Sequence, residues 1–304
     1  MSIVCCDFAA LRCVQKSKPV RHSHRRPLPA SLCIAASQAA RCRRIAATRR
    51  RASMPRAASL ATLMAGVVLG DLSRLAPPAK GKTRLYLCRH GQTDWNAAKK
   101  IQGSVDRELN ELGERQALLI GEALKNVDIT LVASSPLSRA FRTADLAMSI
   151  ACPGVEGVRI HPGLREMNFG ELEGAVAAES SLYAEVNAAW ASGDVERKWP
   201  AGESPRDVEL RGRQALAGLG LLGQKDGPLH THVAVVCHGR FNKILLSSLL
   251  GRGIDKCGEI QQGNCCINVV DVDVAAAVDA AQPATEVALD SRDHLNGVDA
   301  DTPS

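Results

Sequence analysis

The chain has 304 residues, a length that allows one large domain or two small ones. Its net charge of +6 is unevenly spread, because residues 1–80 hold 15 Lys and Arg against two acids, whereas the remainder holds 23 against 30. The basic excess therefore belongs to the N-terminal segment and does not indicate a protein that binds nucleic acid.

The N-terminal segment has the composition of a targeting sequence. Residues 1–56 are rich in Arg, Ala and Ser and nearly free of acids, which is typical of an organelle transit peptide; a basic tail that stays attached is the alternative. Residues 57–70 form an apolar run of 14, shorter than the roughly 20 residues of a membrane-spanning helix, so we expect no stable membrane insertion. We predict a leader and linker over residues 1–80 and an organellar location, in a chloroplast rather than a mitochondrion. Because the apolar run follows arginines, a bipartite leader to an inner compartment is also open.

The cysteines indicate a reducing compartment. Five of the 11 Cys lie in the leader and six in the remainder, and no C-x-x-C pair occurs, so no structural zinc site is indicated. Cys88 and Cys237 lie in apolar runs, which predicts small core residues rather than disulfides.

Strand and helix patterns alternate over residues 81–298, which we predict to form one domain, followed by a disordered tail at 299–304. Strands are predicted at 84–88, 129–133, 158–160, 232–237 and 267–272. Helices are predicted at 110–124, 138–150, 207–222 and 242–250, with further helices after residue 174. From residue 275 the chain is alanine-rich and acidic, and no strand is predicted there. The alternation predicts an α/β fold: a three-layer sandwich with a mostly parallel central sheet and helices on both faces.

Two predicted strands end in a His-Gly pair, at residues 90–91 and 238–239. The carboxyl ends of parallel strands meet at one edge of a sheet, so both imidazoles and the preceding Arg89 are expected to face one pocket. Arg139 opens a helix directly after a strand, where the helix N-terminus and a planar guanidinium both suit an anion. This edge therefore predicts an anion-binding site with a possible nucleophile.

Five motifs follow one another along the chain. They are R-H-G-Q-T-x-W-N at 89–96, S-S-P-L-x-R-A-x-x-T-A at 134–144, R-E-M-N-F-G-x-x-E-G at 165–174, P-A-G-E-S at 200–204 and C-H-G at 237–239. Together they resemble the histidine phosphatase superfamily, in its phosphoglycerate mutase-like branch. The resemblance covers residues 84–294, the whole chain apart from the leader and the tail.

The resemblance implies a role for each motif. His90 would be the nucleophile that becomes phosphohistidine, and Glu166 would protonate the leaving oxygen and then act as base for the attacking water, with His238 beside them. The phosphoryl group would be held by Arg89, Asn96, Arg139, His238 and Gly239. Further substrate contacts are expected from Gln92, Thr93, Gln102 and Gly103. No metal and no other cofactor is implied.

The residue types agree with this chemistry. His90 must attack as a neutral imidazole, and nearby cations lower the pKa of an imidazole toward that form. Arginines and His238 stabilise charge on the equatorial phosphoryl oxygens without a metal. Arg142 lies three residues beyond Arg139, and we expect surface or structural contacts there.

Spacing favours a phosphatase over a mutase. Glu166 and His238 are 72 positions apart, which resembles the shorter phosphatase arrangement, and Gln92-Thr93 stands where mutases usually have Glu-Ser. We therefore predict hydrolysis of the phosphomonoester of a small metabolite by a monomer or homodimer. A cofactor-dependent phosphoglycerate mutase and an inactive phosphate-binding module are the alternatives. Specificity is expected from residues 174–211, including Tyr183, Lys198 and Trp199, but the sequence does not identify the substrate.

The remaining histidines and one tryptophan have structural interpretations. His161 and His294 are predicted to be surface or structural residues. His230 and His232 form an H-x-H pair that suits a metal, although a solvated strand start is favoured. Trp95 is expected to pack in the core beneath the catalytic loop.

Overall fold

The structure is a computed structural model that describes residues 71–298, so the predicted transit peptide and tail lie outside the described residues. Its strands are β1 (Lys82–Arg89), β2 (Leu131–Ser134), β3 (Arg159–Ile160), β4 (His232–Cys237), β5 (Ile267–Asp273) and β6 (Ala284–Ser291). Its α-helices are α1 (Asp94–Ala97), α2 (Glu111–Leu124), α3 (Ser138–Ala151), α4 (Ser181–Ala191), α5 (Pro205–Gly218) and α6 (Gly239–Leu249).

The six strands form one sheet in the order β3-β2-β4-β1-β5-β6. The pairings β3/β2, β2/β4 and β4/β1 are parallel, whereas β1/β5 and β5/β6 are antiparallel. The predicted mostly parallel sheet is therefore confirmed. Because β1 and β4 are adjacent and parallel, their carboxyl ends bring residues 89–90 and 238–239 to the same edge.

Side chains of the central strands alternate between two apolar layers. Leu85 and Leu87 of β1 pack in the layer that contains α5 and α6, whereas Tyr86 and Cys88 pack in the layer that contains α2 and α3. A sheet buried on both faces needs helices on both faces, which gives the predicted three-layer sandwich. Cys88 and Cys237 are buried free thiols, as predicted.

Side-chain caps set the starts of two helices. The side-chain oxygen of Asn110 accepts a hydrogen bond from the Gly113 amide, which confirms the predicted N-cap of α2. Helix α5 begins at Pro205, before the predicted residue 207, because Ser204 and Asp207 form a capping box. Helix α6 begins at Gly239, before the predicted residue 242, and its N-cap is His238, which directly follows β4 and makes no side-chain hydrogen bond to the helix.

Two packed segments extend beyond the sequence-based predictions. The prediction that 267–272 is the last strand is wrong, because β6 pairs with β5 over the alanine-rich, acidic region. Of its eight residues only Ala284 is buried, and the others are exposed or half-buried, so its sequence lacks a continuous apolar pattern. At the other end, Leu72 is buried against α2, so the packed domain begins before the predicted start near residue 81.

Helices of membrane-spanning length and hydropathy do not occur within residues 71–298. In the same range, no three His, Cys, Asp or Glu side chains come together in a way that would hold a metal ion. His230 and His232 instead lie next to hydroxyl groups, those of Thr130 at 3.0 Å and Tyr86 at 3.2 Å.

Candidate active site

The loop after β1 is held against the start of α2 by two glycines. A Cβ atom on Gly91 would lie 2.4 Å from the Gly113 carbonyl oxygen, and a Cβ on Gly113 would lie 2.1 Å from that of Gln92. The Gly91 amide also donates to the hydroxyl of Thr143 on α3. Only glycine allows this approach, so Gly91 positions the loop for contact with another backbone rather than for contact with a ligand.

His90 is held in one tautomer. It is 2 % exposed, and its Nδ1 lies 2.7 Å from the Gly91 carbonyl oxygen. A carbonyl oxygen only accepts, so Nδ1 carries the proton and Nε2 keeps its lone pair. Burial, together with the charges of Arg139 and Arg89, holds the pKa of His90 well below its usual value. The neutral form that a nucleophile requires is therefore the stable one.

His238 lies next to His90 at the end of β4. The two ring centroids are 5.2 Å apart, and Nε2 of His238 lies 2.8 Å from the Ser135 hydroxyl. Burial and then the charge of Arg139 lower the pKa of His238 well below its usual value. The sheet edge thus brings the two predicted imidazoles together.

Arg89 and Arg139 complete the group, which we call the inner cluster: Arg89, His90, Arg139 and His238. Arg139 is fully buried and donates to the carbonyl oxygens of Gly103 and Val105, both at 2.8 Å. Arg89 donates to the carbonyl of Gln262. Burial lowers the pKa of Arg139 to about 10, so its guanidinium remains charged at neutral pH, and burial also lowers the pKa of Arg89.

The inner cluster contains buried polar atoms without protein partners. Within residues 71–298, six buried side-chain N or O atoms have no hydrogen bond, and three of them are Nε of Arg89, Nε of Arg139 and Nδ1 of His238. An unpartnered buried donor is destabilising by roughly 1–3 kcal/mol, so such groups are normally satisfied. An arginine Nε only donates, and these atoms therefore fit an anionic acceptor.

The carboxyl group of Glu166 lies against the first turn of α6, in contact with its backbone amides. Its Oε1 accepts hydrogen bonds from the Phe241 and Met167 amides, both at 2.8 Å, and its Oε2 accepts from the Arg240 amide at 3.1 Å. The positive end of the helix stabilises a carboxylate in this position. The carboxyl group and His90 line the same pocket, which brings a proton-transfer group to the inner cluster.

The loop that carries Glu166 is held by the P-A-G-E-S motif. Arg211 pairs with both carboxylate oxygens of Glu203, at 2.8 and 3.0 Å, and donates to the carbonyls of Gly163, Arg165 and Glu166. Glu203 in turn accepts from the Asn168 amide. Glu203 and Arg211 are therefore positioning residues, which the sequence-based assignment of roles missed. The P-A-G-E-S motif was the sequence signal from which the role of Glu203 could have been found.

A pocket of about 250 Å³ opens beside the inner cluster. Besides Arg89, His90, Arg139 and Glu166, it is lined by a second set of polar side chains, which we call the outer cluster: Lys99, Lys100, Tyr183, Arg240 and Lys243. The outer cluster as a whole is more exposed than the inner cluster, because Lys99 and Lys100 lie at the surface. Of this set, only Tyr183 was singled out from the sequence.

The predicted substrate contacts divide into two groups. Asn96, Gln102, Gly103 and Gly239 line the pocket. Gln92 and Thr93 are absent from the lining. The Gln92 side chain accepts from Asn110, and Thr93 caps α1 by pairing with Asn96. Both therefore hold the loop in place, and their predicted contact with substrate is not supported.

The three residues that were predicted to determine substrate specificity lie in different environments. Tyr183 lines the pocket, whereas Trp199 is 1 % exposed and packs against the rings of Phe169, Tyr183 and Trp190. Lys198 pairs with Asp207 at the surface, at 2.9 Å. Trp199 therefore supports the pocket wall from behind.

Other single-residue predictions have clear outcomes. Arg142 pairs with Glu114 at 2.9 Å and with Asp145 on the surface, as expected. The core position predicted for Trp95 is wrong: the ring is half-buried, and the guanidinium of Arg107 lies 4.2 Å from its centroid.

Two histidines have structural contacts. Nδ1 of His161 accepts a hydrogen bond from the Gly163 amide, which caps the short 3-10 helix Pro162–Leu164. His294 is 4 % exposed and lies 3.0 Å from the Cys265 carbonyl oxygen, and burial lowers its pKa to about 4.

Comparison with known proteins identifies the family. Residues 85–278 match the model of the histidine phosphatase superfamily (branch 1). The "Probable phosphoglycerate mutase GpmB" of Erwinia tasmaniensis is 36 % identical over 193 residues, which cover 62 % of this chain and 84 % of that protein.

Solved structures of phosphatases share the fold. A mycobacterial glucosyl-3-phosphoglycerate phosphatase in complex with VO3 aligns with a TM-score of 0.53 and 31 % identity, over 62 % of this chain and 92 % of that one. A phosphoserine phosphatase from Entamoeba histolytica, in complex with 3-phosphoglyceric acid, aligns with a TM-score of 0.58 and 27 % identity, over 70 % and 99 %. With its motifs, sheet order and family match in agreement, this chain belongs to the histidine phosphatase superfamily.

Proposed function

We propose that the protein is a phosphatase that hydrolyses the phosphomonoester of a small metabolite through a phosphohistidine intermediate. The observation that carries this proposal is the inner cluster itself. It holds a neutral imidazole with a free Nε2 lone pair beside the buried Nε atoms of Arg89 and Arg139, which have no protein partner. A phosphoryl group would satisfy these donors while it is attacked by the imidazole.

In the first step, the Nε2 lone pair of His90 attacks phosphorus and the ester P–O bond breaks. The carboxylic acid of Glu166 gives its proton to the leaving oxygen, so the alcohol departs neutral. Arg89, Arg139 and His238 hold the phosphoryl oxygens, whose charge they stabilise in the transition state.

In the second step, the Glu166 carboxylate takes a proton from water, and the resulting hydroxide attacks phosphorus as the N–P bond breaks. His90 recovers its lone pair, and inorganic phosphate leaves. Glu166 is protonated again, so the cycle closes without any further proton donor. Arg211 and Glu203 keep Glu166 within reach of both oxygens.

A phosphoglycerate mutase is the second candidate, because relatives at 33–36 % identity carry that name. A mutase would return the phosphoryl group from the histidine to a substrate hydroxyl instead of to water. The spacing of 72 residues between Glu166 and His238 supports the phosphatase.

Phosphate release from p-nitrophenyl phosphate and from a panel of sugar phosphates tests the proposal, with His90→Ala and Glu166→Ala as variants. We expect release by the native protein, near-complete loss in His90→Ala and a large loss in Glu166→Ala. Release that survives both substitutions would contradict the mechanism. Interconversion of phosphoglycerates that depends on 2,3-bisphosphoglycerate would support the mutase, and absence of either activity in the folded protein would support an inactive phosphate-binding module.

A further inference from the structure

Asn96 lines the pocket beside the inner cluster, and a backbone group fixes the orientation of its amide. Oδ1 of Asn96 lies 3.2 Å from the backbone nitrogen of Thr93 and 3.1 Å from the Thr93 hydroxyl. A backbone amide only donates, so the atom that faces it is the oxygen of the Asn96 side chain and not the nitrogen. Nδ2 of Asn96 therefore lies on the side turned away from Thr93.

This Nδ2 is left for a ligand. Among residues 71–298 it has no hydrogen-bond acceptor, although its side chain lines the pocket. Its two hydrogens add to the unpartnered Nε donors of Arg89 and Arg139, which line the same pocket. Together these donors fit an anionic acceptor such as a phosphoryl oxygen.

Asn264 contacts both Asn96 and His90 from the loop before β5. It is 1 % exposed, and its Nδ2 lies 3.3 Å from Oδ1 of Asn96 and 3.3 Å from the His90 carbonyl oxygen. A carbonyl oxygen only accepts, so the orientation of the Asn264 amide is fixed as well. The backbone amide of Cys265 donates to the same carbonyl at 3.2 Å. Residues 264–265 therefore hold the backbone of His90 and the side chain of Asn96 together.

These contacts select one of two orientations of the Asn96 amide. A half-turn of the amide exchanges oxygen and nitrogen with little change of shape. It would bring Nδ2 against the donors of Thr93 and Asn264 and would lose three hydrogen bonds. The observed orientation is therefore fixed before a ligand arrives, and donors that need no reorganisation are the ones that best stabilise transition-state charge.

We propose that Asn264 is a positioning residue that keeps the Nδ2 donors of Asn96 directed at the phosphoryl group bound next to His90. This inference rests on the proposed function, in which that group occupies the inner cluster. Asn264 itself does not contact the substrate. It acts through Asn96, so its contribution should disappear when the Asn96 side chain is absent.

Binding of orthovanadate, a phosphate analogue, tests the proposal without turnover. In Asn96→Ala, we expect the Kd from isothermal titration calorimetry to rise about tenfold, as for one hydrogen bond to a charged group. Asn264→Asp keeps the shape but replaces the donor with an oxygen that repels Oδ1 of Asn96, and we expect a similar rise. Asn296→Asp, at an exposed position, is the matched control and leaves the Kd unchanged.

A double variant separates positioning from other effects. In the Asn96→Ala background, Asn264→Asp has no donor to misdirect, so we expect the Kd to rise less than about twofold further. Direct repulsion of the anion by the new carboxylate, or a shift of His90, would persist in this background.

Thermal unfolding shows whether each variant is folded. If Asn264→Asp does not fold, Thr93→Val tests the same orientation, because it removes one of the donors to Oδ1 of Asn96. We expect a Kd a few-fold higher in Thr93→Val, and a Kd close to the native value in Thr93→Ser, which keeps the hydroxyl. Equal Kd values in all three proteins would contradict the proposed control of the amide.

Two further results would overturn the role of Asn264. One is an unchanged Kd in Asn264→Asp, and the other is an equal rise with and without the Asn96 side chain. In both cases, hydrolysis of p-nitrophenyl phosphate that depends on His90 would leave the proposed function intact. A native protein that binds orthovanadate through Asn96 and Asn264 but hydrolyses no phosphomonoester would contradict the proposed function alone. If the native protein binds no orthovanadate, both proposals fail.

Discussion

The inner and outer clusters lie at the same pocket but are built in different ways. Of the inner cluster, Arg89, His90 and Arg139 line the pocket, whereas His238 is fully buried beside His90 and does not line it. In the inner cluster, His90 and His238 come from adjacent strand ends, and the guanidinium of Arg139 is bound to backbone carbonyls. In the outer cluster, Lys99 and Lys100 lie in a surface loop, and Tyr183 comes from α4. The backbone of a central sheet is held by hydrogen bonds on both sides, so the strand ends keep the catalytic side chains in fixed positions. Loops and flanking helices vary more easily, which suits the choice of substrate.

If the inner cluster carries the chemistry, loss of one of its cations should lower kcat/KM for every substrate. In Arg139→Met, the packing volume is retained, but the charge and the donors to the pocket are lost. We expect kcat/KM to fall roughly 10²–10³-fold for all phosphomonoesters, the typical effect of removing one donor that stabilises transition-state charge. Steady-state kinetics measures this effect.

Arg142→Met is the matched control, since that arginine lies on the same helix in surface ion pairs. A similar loss in both variants would show that Arg139 acts through the stability of α3 and not through the pocket.

A positioning residue should affect the rate more than the binding of substrate. In Arg211→Gln, the loop that carries Glu166 loses its three carbonyl contacts and the Glu203 pair. We expect kcat to fall about tenfold to a hundredfold with little change in KM, because misplacing a proton-transfer group slows chemistry. Separate determination of kcat and KM is the measurement.

Arg206→Gln is the control for Arg211→Gln, because Arg206 lies on the same helix and pairs with Glu196 at the surface. A rise in KM with unchanged kcat would place Arg211 in substrate binding.

The hydrogen bond that holds the Gly91 loop next to the inner cluster should contribute to the stability of the fold. Thr143→Val removes the hydroxyl that accepts from the buried Gly91 amide at 3.0 Å. We expect the free energy of unfolding to fall by about 1–3 kcal/mol, because the amide stays buried without a partner. Urea denaturation measures this change. Thr285→Val, at an exposed position of β6, should change the stability by much less, and equal effects would argue against a special role for the Gly91 loop.

The outer cluster should show the smallest effect, and that effect should depend on pH. Lys243 is faced by Arg240 and Arg89, which repel its charge, and by Glu166 and Cys257, which attract it. Its pKa of about 8 means that it is charged below pH 8 and loses its charge as the pH rises above 8. Because Lys243 lines the pocket, we expect KM for an anionic phosphomonoester to increase a few-fold between pH 7 and 9.

Lys243→Arg should remove this increase, because a guanidinium stays charged over the whole range. The same increase of KM in Lys243→Arg would assign the pH effect to the inner cluster.

Much of the fold could be predicted because local patterns and tertiary structure agree. The apolar runs that became β1 and β4 are buried on both faces, and continuous apolar segments bounded by His-Gly are clear strand signals. Strand β6 could not be predicted, because an edge strand whose side chains are exposed or half-buried needs no apolar pattern and is stabilised by hydrogen bonds to β5. Backbone pairing carries no signature in side-chain composition.

By itself, the sequence determined which residues form the inner cluster, and that Glu166 lies beside it. The members Arg89, His90, Arg139 and His238 each stand at the end of a strand or at the start of a helix, and parallel strands bring such ends to one edge. Only the tertiary structure decided what surrounds them. Arg240 and Lys243 reach the pocket because α6 starts directly at the end of β4, and Gln92 is turned away by the contact between the Gly91 loop and α2. These placements depend on how close one backbone comes to another, which no local sequence pattern records.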